Sequence, residues 1–463
     1  MFVTPITQRF SRVRLALRRS LGRRSRHLHR LSRKSLQFLL LLCGAALVSF
    51  VSMGFAHMAD YALELNHAWM SERPWLAFIL LPFGLAAVCW LTLRLSPFSA
   101  GSGIPQVIAS ISMPWGPAPM RLVSLVHVVW KIPLTFLGML AGASIGREGP
   151  SVQVGAGLML AWGMLCRRIG VPLKGVHPSE LIATGAAGGL AAAFNAPLAG
   201  MIFAIEELGR GTALRWQRVV LLGVLASGFF TLAVVGSNPY FGEFNGRALE
   251  HDMLLWTLTC ALACGVAGGV FGRLLGKGAA VFAPSRWRGW LRRHPVAVAF
   301  LMGLLVAFLG LLTAGGVYGT GYNAAAQALA GTQPDAAGFS LAKIGATLAS
   351  YWAGIPGGIF TPALTIGASI GAELSLLADA AIDGRVLVLI SMAAFLASAT
   401  QSPITSSVIV MEMTGSQPML FWLLLGALAA SMVGKQFCPQ PFYHMAAGRF
   451  RQRVTASGHS ADT

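Results

Sequence analysis

Residues 130–156 read WKIPLTFLGMLAGASIGREGPSVQVGA, an apolar run that the five residues GREGP interrupt at 146–150. This stretch places Arg147 and Glu148 beside each other within small and apolar sequence. A carboxylate inside a membrane is costly, so such a residue marks a functional site by default. The stretch therefore predicts a membrane-embedded chain that carries a functional glutamate.

The composition of the whole chain is that of a membrane protein. Of its 463 residues 55% are hydrophobic and 11% are charged, whereas soluble domains carry about 25% charged residues. Apolar stretches recur along the chain, some long enough to cross a bilayer alone and others too short. We predict an all-α polytopic membrane protein of roughly ten or more passes, with some helices broken or tilted.

Positive charge is concentrated at the start of the chain, and the formal net charge is +19. Residues 1–34 contain eleven Arg or Lys residues and no acidic residue. Because cytoplasmic segments of membrane proteins are enriched in Lys and Arg, we expect both termini inside the cell. The basic arm is followed by no recognition fold, so we expect no nucleic-acid partner.

The sequence contains the same pattern twice. Residues 130–156 align with AKIGATLASYWAGIPGGIFTPALTIGA at 342–368, so that Gly146 meets Gly358 and Lys131 meets Lys343. GSG at 101–103 likewise meets GTG at 319–321. We assign no role to the paired lysines, which either tune the internal potential or cap structure.

A third repeated block separates a shared glutamate from a unique one. ATGAAGGLAAAFNAPLAGMIFAIEE aligns with SMAAFLASATQSPITSSVIVMEM, where Glu206 meets Glu412 but Glu207 meets Met413. The shared pair suggests a common packing role, whereas Glu207 breaks the symmetry.

The chain is predicted to have three segments, and the repeat divides the middle one into two halves. We expect a basic cytoplasmic segment at 1–36, a transmembrane domain at 37–447 and a short cytoplasmic tail at 448–463, without a regulatory domain. The two halves run about 37–235 and 254–443. Duplicated halves with Gly/Pro-interrupted apolar segments are typical of transporters whose broken helices meet near mid-membrane.

Four short motifs place Gly or Pro at the entry of an apolar helix: GSGIP (101–105), GREGP (146–150), GGIFTP (357–362) and PQPFY (439–443). A helix N-terminus exposes unpaired N–H groups and a partial positive charge. Several such ends converging in a membrane would bind an anion without a full cation.

In this order and spacing the motifs resemble the CLC family of chloride channels and transporters, of the prokaryotic type. The resemblance covers about residues 37–447. It implies an inverted repeat of two helical halves, a cell-membrane location among lipids and a homodimer with one pore per protomer. It also implies chloride and protons as transported ions, with no cofactor and no metal.

The resemblance implies that the hydroxyls of Ser102 and Tyr443 and the backbone N–H groups of Ile359 and Phe360 bind chloride. Chloride is large and weakly hydrated, so neutral donors can replace its water without trapping it. Two alternatives stay open: Ser102 as a helix cap and Tyr443 as an interfacial aromatic residue.

Residue chemistry and the resemblance both make Glu148 the gate. Deprotonated, Glu148 can occupy a chloride position at a helix start; protonated, it loses that attraction and swings away. The supporting backbone comprises Gly146, Arg147, Gly149 and Gly358. Arg147 either adds positive potential or reaches the outer interface. We expect no salt bridge from Arg147 to Glu148, because adjacent residues on a helix do not face each other.

The resemblance matches Glu207 to the inner proton-transfer glutamate of the exchanger branch, with a solvated interfacial carboxylate as the alternative. Family channels generally lack an acid there, so Glu207 favours a chloride/proton antiporter over a passive chloride channel. Gln106 departs from the Glu that many relatives carry after GSGIP.

A remote alternative is an intramembrane serine hydrolase. GASIG at 142–146 fits G-x-S-x-G, with Ser144 as nucleophile and His127 nearby in sequence. That motif needs a strand–turn–helix context, which an all-helical membrane chain does not supply. We therefore predict a secondary active transporter and not an enzyme.

Overall fold

The computed structural model describes residues 6–459 except 172, 174, 212–217, 245–251, 280–282, 333–337 and 379–382. Within this part of the chain the regular secondary structure is helical, and β-pairing is confined to two isolated bridges. The prediction of an all-α protein is confirmed. The remaining residues, with the side chains of residues 6–34, 218, 219 and 457–459, lie outside the described part.

The helices of the first half follow one another through short loops. They are α1 Ile6–Glu72, α2 Ala77–Leu95, α3 Ile104–Ser112, α4 Pro117–Leu122, α5 Leu125–Leu140, α6 Glu148–Arg168, α7 Pro178–Phe194, α8 Pro197–Phe203 and α9 Arg218–Val235. Helix α1 takes in most of the basic segment predicted at 1–36. Helix α8 continues into a π-helical turn, Ala204–Leu208.

The helices of the second half begin at Met253. They are α10 Met253–Lys277, α11 Ser285–Arg293, α12 Pro295–Leu312, α13 Tyr322–Leu329, α14 Phe339–Trp352, α15 Phe360–Ser375, α16 Gly384–Thr400, α17 Pro403–Thr414, α18 Leu420–Phe437 and α19 Phe442–His459. Helix α19 includes the beginning of the tail predicted at 448–463.

Six segments of the described chain are long and apolar enough to cross a membrane. They are Ser35–Glu72, Pro74–Leu95, Pro117–Leu140, Met253–Lys277, Pro295–Leu312 and Gln417–Phe437. The sequence predicted roughly ten or more passes with some helices broken, and the structure does divide apolar runs into shorter helices. The run at 181–205, for example, breaks where Asn195 takes a left-handed conformation (φ 54°) and Pro197 starts α8.

The two halves meet at a pair of equivalent glycines. The Gly146 N–H donates to the Gly358 carbonyl oxygen over 2.8 Å, and the Gly358 N–H donates back over 2.7 Å. The two segments run antiparallel in this bridge. Such a reciprocal contact between equivalent residues requires local two-fold symmetry, as an inverted repeat does.

Equivalent glycines also bring α6 against α7 and α15 against α16. A Cβ atom on Gly155 would lie 2.1 Å from the Gly185 carbonyl oxygen, and one on Gly367 would lie 2.4 Å from the Ser391 carbonyl oxygen. Small residues of this kind let the backbones of membrane helices approach closely. The crossings fix the directions of α6 and α15, whose N-termini border the bridge.

Candidate functional site

All four motifs predicted as helix starts do begin helices, and their loops meet. The Gly101 N–H donates to the Ile355 carbonyl over 3.0 Å, and the Gly357 N–H donates to the Gly101 carbonyl over 3.2 Å. These bonds join the loop before α3 to the loop before α15, which the glycine bridge joins to α6. The start of α19 completes the group through Tyr443, whose ring stacks on Phe360 at 5.9 Å.

The approach of these loops requires glycine at two positions. A Cβ atom on Gly149 would lie 2.3 Å from the Ser102 hydroxyl oxygen and 3.2 Å from the Gly358 Cα atom. Gly103 has a φ of 104°, and a Cβ atom there would lie 2.7 Å from the Gly149 carbonyl oxygen. Glycine therefore allows the N-terminus of α6 to lie directly beside Ser102.

Two buried hydroxyls face this junction without a hydrogen-bond partner in the described chain, those of Ser102 and Tyr443. The two lie within electrostatic reach of each other but do not meet hydrogen-bond geometry. Leaving a buried donor unsatisfied costs about 1–3 kcal/mol. Helix α3 has no side-chain cap and Tyr443 is 0% exposed, so neither the cap nor the interfacial alternative fits the structure.

The backbone donors predicted for the anion lie at the start of α15. Ile359 is the N-cap residue and Phe360 is the first helical residue, and both are buried. The first N–H groups of an α-helix have no acceptor within the helix. The Phe360 ring packs edge-on against Phe194 and Phe203, which fixes this end of α15.

Glu148 lies between two helix N-termini. It is 0% exposed, and its Oε1 atom accepts a hydrogen bond from the Thr361 hydroxyl of α15. The backbone N–H groups of Glu148 and Thr361 also interact with the carboxylate. The Oε2 atom has no partner among the described residues and lies against Gly146. The carboxylate thus occupies a place suited to an anion.

Arg147 turns away from this carboxylate. Its Nη1 atom donates to the Ala56 carbonyl over 2.6 Å and forms an ion pair with Asp60 of α1. The guanidinium also lies 5.8 Å from the centre of the Tyr240 ring. As expected, no ion pair joins Arg147 to Glu148 in the described chain. Arg147 itself is buried, whereas the side chain of its partner Asp60 is half exposed.

The second predicted glutamate is also buried. Glu207 lies in the π-helical turn and is 1% exposed, so the alternative of a solvated carboxylate is wrong. Its Oε2 atom accepts a hydrogen bond from the Ser402 hydroxyl. Its Oε1 atom lies 3.6 Å from the Nε2 atom of His444. Tyr443 interacts electrostatically with both Glu207 and Glu148.

Sequence reasoning missed three partners of these acids: Thr361, Ser402 and His444. Thr361 stands inside the quoted motif GGIFTP, and His444 directly follows Tyr443. Thr361 is thus inside a motif already singled out and His444 is next to one, but nothing in the sequence shows which glutamate each one contacts.

Two buried polar side chains hold the loop that carries Ser102. The Lys131 ammonium group donates to the carbonyls of Ser99 and Gly101 over 2.6 and 2.7 Å. The Gln106 amide donates to the Ala100 carbonyl over 2.7 Å. Lys131 therefore caps structure, and Gln106 supports the loop in place of a charged residue.

The hydrolase alternative is contradicted by the side-chain partners. The Ser144 hydroxyl is buried and pairs with the Thr347 hydroxyl over 3.0 Å. His127 instead pairs with the Ser96 hydroxyl over 2.7 Å. His127 is thus not positioned to activate Ser144 as a nucleophile.

The chain is similar to known proteins of one family. The family model for the voltage gated chloride channel matches residues 83–435. The H(+)/Cl(-) exchange transporter ClcA of Vibrio parahaemolyticus is 30% identical over 446 residues, which cover 89% of this chain and 90% of the relative. ClcA of Vibrio cholerae is 30% identical over 439 residues, which cover 88% of each chain.

Two solved structures share the fold. The crystal structure of a slow cyanobacterial Cl-/H+ antiporter has a TM-score of 0.73 at 24% identity and covers 90% of this chain and 98% of its own. The crystal structure of a CLC-type fluoride/proton antiporter has a TM-score of 0.68 at 23% identity and covers 88% of this chain and 97% of its own.

Proposed function

The chain belongs to the voltage-gated chloride channel family, and from this premise we propose that it exchanges chloride for protons across a cell membrane. Relatives that are 30% identical to it are named as H(+)/Cl(-) exchange transporters. The observation that carries the proposal is the presence of two buried glutamates, Glu148 and Glu207, and of two buried hydroxyls that have no hydrogen-bond partner among the described residues.

Chloride binds at the junction of the four loops. The hydroxyls of Ser102 and Tyr443 and the N–H groups of Ile359 and Phe360 donate to it. All four donors are neutral, and helix N-termini supply the positive potential. Because no full positive charge holds the ion, it can leave as readily as it enters.

Glu148 excludes chloride from the outer end of the site while it is charged. Its carboxylate then takes the donors offered by the N-termini of α6 and α15, including Thr361. A proton on Glu148 removes the negative charge and with it the attraction to these donors. The side chain leaves, chloride enters, and one group thereby couples the two ions by mutual exclusion.

Glu207 passes the proton between Glu148 and the cytoplasmic side. Burial of a carboxyl group away from water favours its neutral form, as a proton carrier requires. Its hydrogen bond from Ser402 orients one oxygen and leaves the other for proton transfer.

Coupled flux in proteoliposomes tests the proposal. Purified protein is reconstituted with a chloride gradient and no initial pH gradient, and both ions are followed. An antiporter drives protons uphill, against the pH gradient that develops, in a fixed ratio to chloride. Chloride flux that moves no protons would identify a passive channel instead, and fluoride in place of chloride tests anion preference.

Orientation and assembly are parts of the same proposal. Both termini face the cytoplasm, since basic residues cluster at the end of α6, in α11 and in α19. The protein works as a homodimer in the lipid bilayer, with one pore per protomer. Accessibility of single terminal cysteines to an impermeant reagent and mass measurement in detergent test these two statements.

A further inference from the structure

A histidine lies beside the inner glutamate. The His444 Nε2 atom is 3.2 Å from the Glu207 carbonyl oxygen and 3.6 Å from the Glu207 Oε1 atom. His444 follows Tyr443 in the first turn of α19, so one turn of helix contacts both the anion site and the acid.

Glu207 needs an intermediary to exchange protons with water. Its side chain is 1% exposed, and the Ser402 hydroxyl occupies its Oε2 atom. The Oε1 atom has no hydrogen-bond partner in the described chain, and the titratable ring of His444 lies 3.6 Å from it.

His444 connects this buried oxygen with the protein surface. Its side chain is 22% exposed, compared with 1% for Glu207. Since a carbonyl oxygen only accepts hydrogen bonds, the Nε2 atom beside the Glu207 carbonyl must carry the proton. The Nδ1 atom is then the ring's acceptor, and the two nitrogens can take different roles in one transfer.

We propose that His444 relays protons between cytoplasmic water and Glu207, an inference that rests on the proposed antiport. A proton from water binds Nδ1 and gives an imidazolium ion. The Nε2 proton then passes to Oε1 of Glu207, which leaves a neutral ring and a neutral carboxyl group. A ring flip or proton exchange with water restores the starting tautomer, and the reverse sequence releases protons.

The charged groups around His444 affect how stable its protonated ring is. Arg210, which follows the π-helical turn, and Arg451, on α19, both interact electrostatically with the ring. Both disfavour a long-lived imidazolium ion, so the ring is suited to pass a proton on and not to store it. Glu206, beside Glu207, uses its carboxylate to accept hydrogen bonds from the Ile404 and Thr405 N–H groups.

Two substitutions separate proton relay from structural support. His444→Gln keeps a donor for the Glu207 carbonyl but cannot titrate, and His444→Ala leaves space for a diffusible base. Both are reconstituted beside the wild type, with His294→Gln as the control at an exposed histidine. Proton and chloride fluxes are measured between inner pH values of about 5.5 and 7.5, the range in which histidine titrates.

We expect proton flux in both His444 variants to fall by about tenfold or more, as loss of a positioned acid–base group does. Chloride flux should persist, which reports an intact fold. Imidazole added on the cytoplasmic side should restore proton flux in His444→Ala, and the dependence of proton flux on inner pH should flatten in His444→Gln. The His294→Gln control should match the wild type.

An unchanged proton-to-chloride ratio and pH profile in His444→Gln would overturn the relay while leaving antiport intact. A loss of both fluxes in His444→Gln, or no rescue of His444→Ala by imidazole, would show a structural role and would also overturn it. Wild-type protein that moves chloride without protons would contradict the proposed function itself, and the relay with it.

Discussion

The two halves of the repeat share some polar residues and differ in others. Lys131 and Lys343 are equivalent, and each donates to the carbonyl of an equivalent glycine, Gly101 over 2.7 Å and Gly319 over 3.0 Å. Each lysine thereby holds the loop of its own half. These symmetric residues support the backbone.

A second symmetric pair joins one half to the other. Glu412 of α17 accepts a hydrogen bond from the Ala199 N–H at the start of α8 over 2.6 Å. Glu206 accepts one from the Thr405 N–H at the start of α17, also over 2.6 Å. Each glutamate caps the helix of the opposite half, which is the shared role that the sequence pairing suggested.

The residues at the proposed ion pathway break this symmetry. Where the first half has Glu148 the second has Phe360, and where the first has Glu207 the second has Met413. Ser102 has no hydrogen-bond partner in the described chain, whereas its counterpart Thr320 accepts a hydrogen bond from the Tyr322 N–H over 3.2 Å. Shared residues therefore maintain the fold, and unique residues lie at the proposed ion pathway.

The largest effect is expected at Glu148. Glu148→Ala removes the carboxylate that competes with chloride, so proton flux should fall by about a hundredfold or more while chloride flux continues. Paired fluxes in proteoliposomes measure both. Glu412→Ala, which removes a carboxylate from a symmetric position, is the control and should keep proton coupling. Coupled proton flux in Glu148→Ala would contradict the assignment.

The next effect compares two neighbouring glutamates. Glu207→Gln should lower proton flux by about tenfold or more and leave chloride flux, because the amide cannot carry a proton. Glu206→Gln, one residue earlier, should leave the proton-to-chloride ratio unchanged. Uphill proton pumping that survives in Glu207→Gln would remove this residue from the proton route.

Substitution of the two equivalent lysines distinguishes support of the loops from an effect on anion binding. Lys131→Met and Lys343→Met should each lower stability by roughly 2–4 kcal/mol, since two carbonyl oxygens lose their side-chain donor. Lys131→Met alone should also weaken chloride binding, because Lys131 holds the loop next to Ser102. Thermal unfolding and chloride titration measure the two effects. An equal loss of chloride affinity in both variants would contradict the prediction that only Lys131 supports the chloride site.

The smallest effect is expected at the reciprocal caps. Glu206→Gln and Glu412→Gln should each lower stability by about 1 kcal/mol, as loss of a helix cap does. Because the two contacts are equivalent, the two unfolding midpoints should fall by similar amounts. A large fall in one variant alone would show that the halves do not share this support.

Sequence predicted much of this arrangement because its signals are local. The Gly/Pro motifs mark helix starts wherever the chain goes, and the repeat relates Gly146 to Gly358 before any contact is known. The contacts between distant segments were not predictable. Thr361 and Glu148 are 213 residues apart, and His444 and Glu207 are 237 apart, so their meeting depends on how the helices pack.

The positions where apolar runs break were harder to predict than the positions where helices start. Hydropathy registers an apolar run but not a single left-handed residue within it. Asn195 and its counterpart Gln401, with φ values of 54° and 59°, end α7 and α16 inside apolar sequence. The same breaks turn α8 and α17 so that each is capped from the opposite half.

Chloride titration by calorimetry tests the competition at Glu148 most directly. Titrations near neutral pH in two buffers of different ionisation enthalpy give the number of protons taken up per chloride bound. Because chloride and the charged carboxylate exclude each other, wild-type protein should take up protons as chloride binds, and Glu148→Gln should take up none. Equal proton uptake in both proteins would contradict the account.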